Sequence, residues 1–209
     1  MLSKSRRALL FLVFFGMIAL FSTSAFAQAS NPNFNIRPLI HFNKTFGKTN
    51  WGVASWVLWP NAVASMETIV AVVGPTYRTN TMYAELMFGG NVASRQLIPF
   101  IDFRLHLSPR FWKPKIGIPF NLWTNMQLIN FTSDKTLFYA FLMVDYALPK
   151  GFALIGLETE NFFGARTDTS LGPQIIIPFK PINFILAYQY HFNTGDNQIW
   201  LRMMINIMP

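Results

Sequence analysis

Three sets of side chains in this sequence could carry chemistry. The first is histidine: only His41, His106 and His191 occur. His106-Leu107-Ser108 places an imidazole and a hydroxyl two residues apart, on one face of an extended strand, where a base could activate a nucleophile. His106 and Ser108 are therefore the catalytic candidates. Ser108-Pro109 also reads as the start of a turn. Asp102 shares the face but lies about 13 Å from His106 along an extended strand, too far to orient it. The second set is charge inside otherwise apolar stretches: Glu67, Glu85, Asp102, Asp145, Glu158 and Glu160, with Arg104 and Arg202. The third, Arg110, Lys113 and Lys115, reads as solvated charge at a turn, and no nucleic-acid partner is expected.

Other chemistries are excluded or unsupported. There is no cysteine, which rules out disulfides, thiol nucleophiles and thiolate metal ligands. H-E-x-x-H, P-loop and G-x-S-x-G motifs are absent, and no spacing of His, Asp and Glu suits a metal ion. Neither a metal nor a cofactor is expected.

The elements that must position these residues begin with an export signal. Lys4, Arg6 and Arg7 precede an apolar run at residues 8–21 and a small-residue site ending Ala25-Phe26-Ala27. That order describes a secretory signal peptide, residues 1–27, and the run is too short for the roughly 20 residues of a spanning helix. The signal holds three of the basic residues behind the formal charge of +8 and none of the nine acids. The chain as a whole is 52% hydrophobic and only 12% charged, against about 25% charged in ordinary soluble domains. Yet no segment after the signal offers 18 consecutive apolar residues. A closed β-barrel is the other structure that satisfies every backbone group inside lipid.

The remainder divides into strand-length pieces in which one parity is apolar and the other holds the polar groups. Residues 183–193 and 198–208 alternate most cleanly: Phe184, Leu186, Tyr188 and Tyr190 against Gln189 and His191, then Ile199, Leu201, Met203 and Ile205 against Arg202 and Asn206. Residues 95–107 set Leu97, Ile101, Phe103 and Leu105 against Asp102, Arg104 and His106. Weaker pieces cover 50–59, 66–77, 80–88, 115–125, 136–147, 152–161 and 170–178; residues 136–147, apolar on both faces except Asp145, also suit a buried helix. This predicts ten antiparallel strands in residues 50–209, with twelve or eight as alternatives. Short links near residues 78–79, 148–151 and 179–182 alternate with longer ones at 61–65, 89–94, 126–135 and 162–169, the asymmetry of short periplasmic turns and long external loops. Residues 28–49 form an N-terminal segment with a possible extra strand at 34–43. There Phe34, Ile36, Ile40 and Phe42 alternate with Asn35, Arg37, His41 and Asn43, but Pro38 argues against a paired strand.

Charge and aromatic placement favour a barrel over a sandwich. The lysines Lys44, Lys48, Lys113, Lys135, Lys150 and Lys180 fall in links or near strand ends, whereas six acids fall inside strands. A lipid face would not tolerate those acids; a polar lumen would. The expected lumen-lining set is Glu67, Glu85, Asp102, Arg104, Asp145, Glu158, Glu160, Gln189, His191 and Arg202. Trp51 and Trp59 share a face at the ends of one strand, roughly 26 Å apart, the height of an apolar band between aromatic girdles.

On these features the chain resembles the small outer-membrane β-barrel class of Gram-negative bacteria. The resemblance implies outer-membrane lipids and the barrel assembly machinery as partners, and a porin-like or structural role. The chain would then be a narrow passive conduit for small polar solutes or a plugged barrel. The class usually ends its last strand on an aromatic residue; Pro209 takes that place here. His106-Leu107-Ser108 is similar to the His-x-Ser pair of outer-membrane lipid A deacylases, which implies a lipid-modifying hydrolase as a second function. A soluble periplasmic β-sandwich or lipocalin-like binder is the third.

Overall fold

The computed structural model describes residues 34–64, 68–93, 96–107, 120–131, 135–164 and 167–207. They fall in the compact unit Asn35–Pro209; of the other unit, Met1–Phe34, only Phe34 is described. The proposed signal peptide, Glu67, Ser108, Arg110, Lys113, Lys115 and Pro209 lie outside the described residues.

Among the described residues, eleven strands close into a barrel. They are β1 (Phe34–Thr45), β2 (Trp51–Leu58), β3 (Ile69–Arg78), β4 (Met82–Ala93), β5 (Gln96–Leu107), β6 (Phe120–Ile129), β7 (Leu137–Ala147), β8 (Leu154–Gly164), β9 (Asp168–Phe179), β10 (Ile182–His191) and β11 (Asn197–Ile207). Each of the ten expected strands has a counterpart, that of residues 115–125 being described only from Phe120 onward, and Leu137–Ala147 form a strand, not a helix. The count of ten, and the alternatives of twelve and eight, are corrected by β1. Consecutive strands pair antiparallel from β1 through β11. An odd meander can close only by bringing its first and last strands side by side in the same direction, so the barrel is not wholly antiparallel. Cross-strand contacts show this: Asn35 donates to Gln198 near the start of both strands (3.2 Å), and further along both His41 Nδ1 lies 3.2 Å from the Asn206 amide oxygen.

Pro38 is tolerated in β1 because it sits at the end of the ladder to β2, where its missing N–H forfeits a single bond, the one to the facing Trp59 carbonyl. The N–H and C=O of one strand residue point to the same side, and the regular ladder to β2 begins only at Leu39. Beyond that point β1 serves as acceptor: Trp59 N donates to Pro38 O at 3.1 Å and Ala62 N to Ile36 O at 2.8 Å.

With eleven strands the chain enters the barrel at one end and leaves at the other. We call these the N-terminal end, where β1 begins, and the C-terminal end, where β11 finishes. The expected loop asymmetry does not survive. Three of the four long loops shrink because β4, β6 and β8 continue into them. Gly89, which reads as a turn residue, is a wall residue of β4 where neighbouring strands crowd together: a Cβ there would sit 2.0 Å from the Ala71 carbonyl oxygen.

The burial is inverted relative to a soluble protein. Trp51, Val73, Phe88, Leu97, Leu157 and Phe192 stand exposed on the outer wall, Leu97 at 73%. The inward parity buries Glu85, Asp102, Arg104, Asp145, Glu158, Glu160, Gln189 and Arg202 at 5% or less. Aromatic contacts mark both rims of the wall: Trp51 with Tyr77 (4.9 Å) and Phe120 with Tyr146 (5.9 Å) at the C-terminal end, Tyr190 with Phe192 (5.4 Å) at the N-terminal end. Closure excludes the sandwich alternative. The polar interior is the reverse of the apolar cavity a lipocalin-like binder needs.

Candidate functional site

Lumenal side chains form two principal networks. The first lies on β1, β2, β4 and β5 and is centred on Glu85, 1% exposed. One carboxylate oxygen faces His41 Nε2 at 3.0 Å and accepts from the Tyr83 hydroxyl; the other accepts from Trp56 Nε1 at 2.8 Å. His41 is stacked on Trp56, with ring centroids 4.1 Å apart, and Asn43 donates to Tyr83. The nearby Arg104 guanidinium lies 4.1 Å over the Trp56 ring and pairs with Asp102 at 2.8 Å. Gln127 supplies another donor to Asp102 at 3.0 Å. The Glu85 charge is thus held mainly by aromatic and imidazole donors.

The second network, on β1, β7, β8, β10 and β11, is built on arginine. Arg202 grips Glu158 with both terminal nitrogens, at 2.6 and 2.7 Å, and Gln189 donates to the same carboxylate at 2.6 Å. Arg37 pairs with Glu160 at 2.8 Å, Tyr139 donates to it at 2.7 Å, and Arg202 lies 3.8 Å away. Arg37 also donates to the Pro60 carbonyl at 2.9 Å and lies 4.2 Å over the Trp200 ring. Bidentate arginine contacts of this kind are the strong form of charge-assisted hydrogen bond.

Two further carboxylates sit apart. Asp145 has no cationic partner among the described residues; Gln174, two strands away, donates to it at 2.6 Å. Gly156 makes that reach possible. Its strand lies between β7 and β9, and a Cβ on it would sit 2.6 Å from the Asp145 oxygen. Asp168 lies 3.0 Å from His191 Nδ1 at the N-terminal end.

Above the first network, the C-terminal end opens into a vestibule of about 380 Å³. Its walls include Arg78, Tyr83, His106, Trp123 and Asn206, and His41 lies at its base. His106 packs against Trp123 with ring centroids 5.2 Å apart. Asp102 is committed to Arg104 and Gln127, in keeping with its distance from His106 in sequence, and among the described residues nothing hydrogen-bonds the His106 ring.

Of the ten expected lumen residues, nine are described, each at most 5% exposed; Glu67 is outside the described set. They do not form one ring: Glu85, Asp102 and Arg104 group together, Glu158, Glu160, Gln189 and Arg202 form a second group, and Asp145 and His191 belong to neither. Arg37, His41, Trp56, Tyr83 and Tyr139 join these networks, and Gln174 and Asp168 partner Asp145 and His191, without having been expected there. Arg37 and His41 are visible in the alternation of residues 34–43, but Pro38 counts against that segment as a strand. Trp56 and Tyr83 carry no charge, so sorting by charge passes over them although they share the polar parity. Asp168 falls in a stretch that reads as loop.

No protein-family description matches the chain, and no curated protein does. Among solved structures, one described as "KdgM porin" is similar in fold, with a TM-score of 0.50 and 13% identity over 77% of this chain and 84% of that one. At that identity the likeness extends to architecture alone. Fold and site together define the class: a closed β-barrel, porin-like in architecture, with an apolar outer wall and a polar, ion-paired interior.

Proposed function

We propose that this chain is an integral outer-membrane β-barrel that rests closed, its lumen stoppered by its own side-chain networks. The signal-like start supports export with cleavage near Ala27, the barrel assembly machinery would insert the chain, and membrane lipid would meet the apolar wall. One observation carries the closed reading. Across the middle of the lumen, Trp56, Met87, Glu85, Asp102, Glu158 and Gln189 are each 1% exposed or less. A continuous water path would wet some of them. Small barrels fill their interiors with side chains in this way, and a structural barrel is therefore favoured over a standing conduit for small polar solutes. The hydrolase alternative gains no support from His106, whose ring has no orienting partner among the described residues.

Planar-bilayer recording of the purified, folded protein tests the proposal, with heat-modifiable gel migration of the membrane fraction as the check on insertion. The expected result is insertion without steady conductance. A resting conductance with cation preference that falls on neutralising Asp102, Glu158 and Glu160 would restore the conduit, because carboxylate-lined pores favour cations. A soluble periplasmic pool would remove both readings.

A further inference from the structure

We infer that the vestibule at the C-terminal end is a binding site for a small organic anion, a carboxylate carried on a planar or apolar body. At about 380 Å³ it lies within the range of small-ligand pockets, about 300–1,000 Å³. Its charge is one-sided. Arg78 and His106 line it, and among the described residues no aspartate or glutamate does. Arg78 is exposed and has no ion pair among the described residues; its guanidinium rests 4.8 Å over the Tyr83 ring, leaving its donors available. Glu85 lies behind the lining residues His41 and Tyr83 and is already engaged by both. An anion entering here would meet unpaired donors and no competing buried charge.

The surrounding rim points the same way. Lys44, Lys48, Arg78 and Lys180 are all exposed at the C-terminal end, on β1, the β1–β2 link, the last residue of β3 and the β9–β10 link. At the N-terminal end, the described links expose one charge of each sign, Lys135 and Asp196. A mouth lined by one sign of charge concentrates ions of the other. The body of the ligand is set by the remaining walls: Trp123, Met82 and Met204 present aromatic and thioether surface, which an inorganic anion would leave unused.

The test uses the folded mature protein in detergent and two probes of equal shape, benzoate and neutral benzamide, titrated by calorimetry against protein and against empty micelles. Benzoate is expected to bind and benzamide to bind at least about tenfold more weakly, the factor that loss of one charge-assisted hydrogen bond produces. Arg78→Gln and His106→Gln should each weaken benzoate by a similar factor and leave benzamide unchanged, while Lys135→Gln at the other end should change neither. Heat-modifiable migration confirms that each variant is folded. Equal binding of the two probes overturns the proposal, as does benzoate binding indifferent to both vestibule variants, or no benzoate binding above that of micelles.

Discussion

The two lumenal networks solve one problem by different means. Both must hold carboxylates out of water, Glu85 at 1% exposure and Glu158 at 0%. On the Glu158 side the answer is charge against charge: Arg202 and Arg37 bind Glu158 and Glu160 directly. On the Glu85 side the guanidinium of Arg104 goes to Asp102, and Glu85 relies on Trp56, Tyr83 and His41. The difference lies in how each network fails. Removing one member of a buried ion pair strands a full charge; removing one of three hydrogen-bonding side chains leaves the carboxylate partly satisfied.

The largest effect should therefore come from Arg202→Ala. It strands Glu158 and removes the second cation near Glu160, and loss of one partner of a buried pair costs about 3–5 kcal/mol. Urea unfolding from lipid vesicles should show the loss, and the double variant Arg202→Met with Glu158→Gln should recover much of it. A single variant as stable as wild type would erase the distinction between the networks.

Next is Leu201→Arg, which tests whether the wall, not only the lumen, is under constraint. Leu201 pairs with Leu186 on the outward parity of β11 and β10. An arginine at mid-bilayer costs about 2–4 kcal/mol, read as failed insertion or lost heat-modifiable migration. The lumen is no refuge for the same change: Gln189→Arg would set a second guanidinium in the space where Gln189 and Arg202 share Glu158. It should damage folding too, contrary to the tolerance a wide polar pore would give.

Gly156→Val should cost less, about 1–3 kcal/mol as overpacking does. Its Cβ would meet the Val144 carbonyl oxygen at 2.0 Å and the Asp145 carboxylate at 2.6 Å, and the Asp145–Gln174 bond should break. Unchanged stability in urea unfolding would mean that Gly156 is not what lets Gln174 reach Asp145.

The smallest effect sharpens the comparison. Trp56→Phe keeps most of the packing and removes one neutral donor to Glu85, so the expected loss is about 0.5–1.5 kcal/mol. A loss equal to that of Arg202→Ala would show that the Glu85 network depends on its aromatic donors as heavily as the other depends on arginine.

Much of this molecule was legible in the order of its residues. Alternation in twos located ten strands and their inward parity, because a pleated strand sends successive side chains to opposite faces. The scarcity of charge outside links, with acids inside strands, identified the barrel and its interior. The eleventh strand was not legible in the same way. Pro38 violates a local rule, and only its place at the end of the ladder to β2 limited the loss to one bond. Nor could alternation say which lumenal residues would meet. Arg202 and Glu158 are 44 residues apart, and their contact depends on how strands β8 to β11 are staggered around the barrel. Residue types and period fix the face a side chain takes; the partner it finds there depends on closure, register and curvature, which belong to the whole sheet.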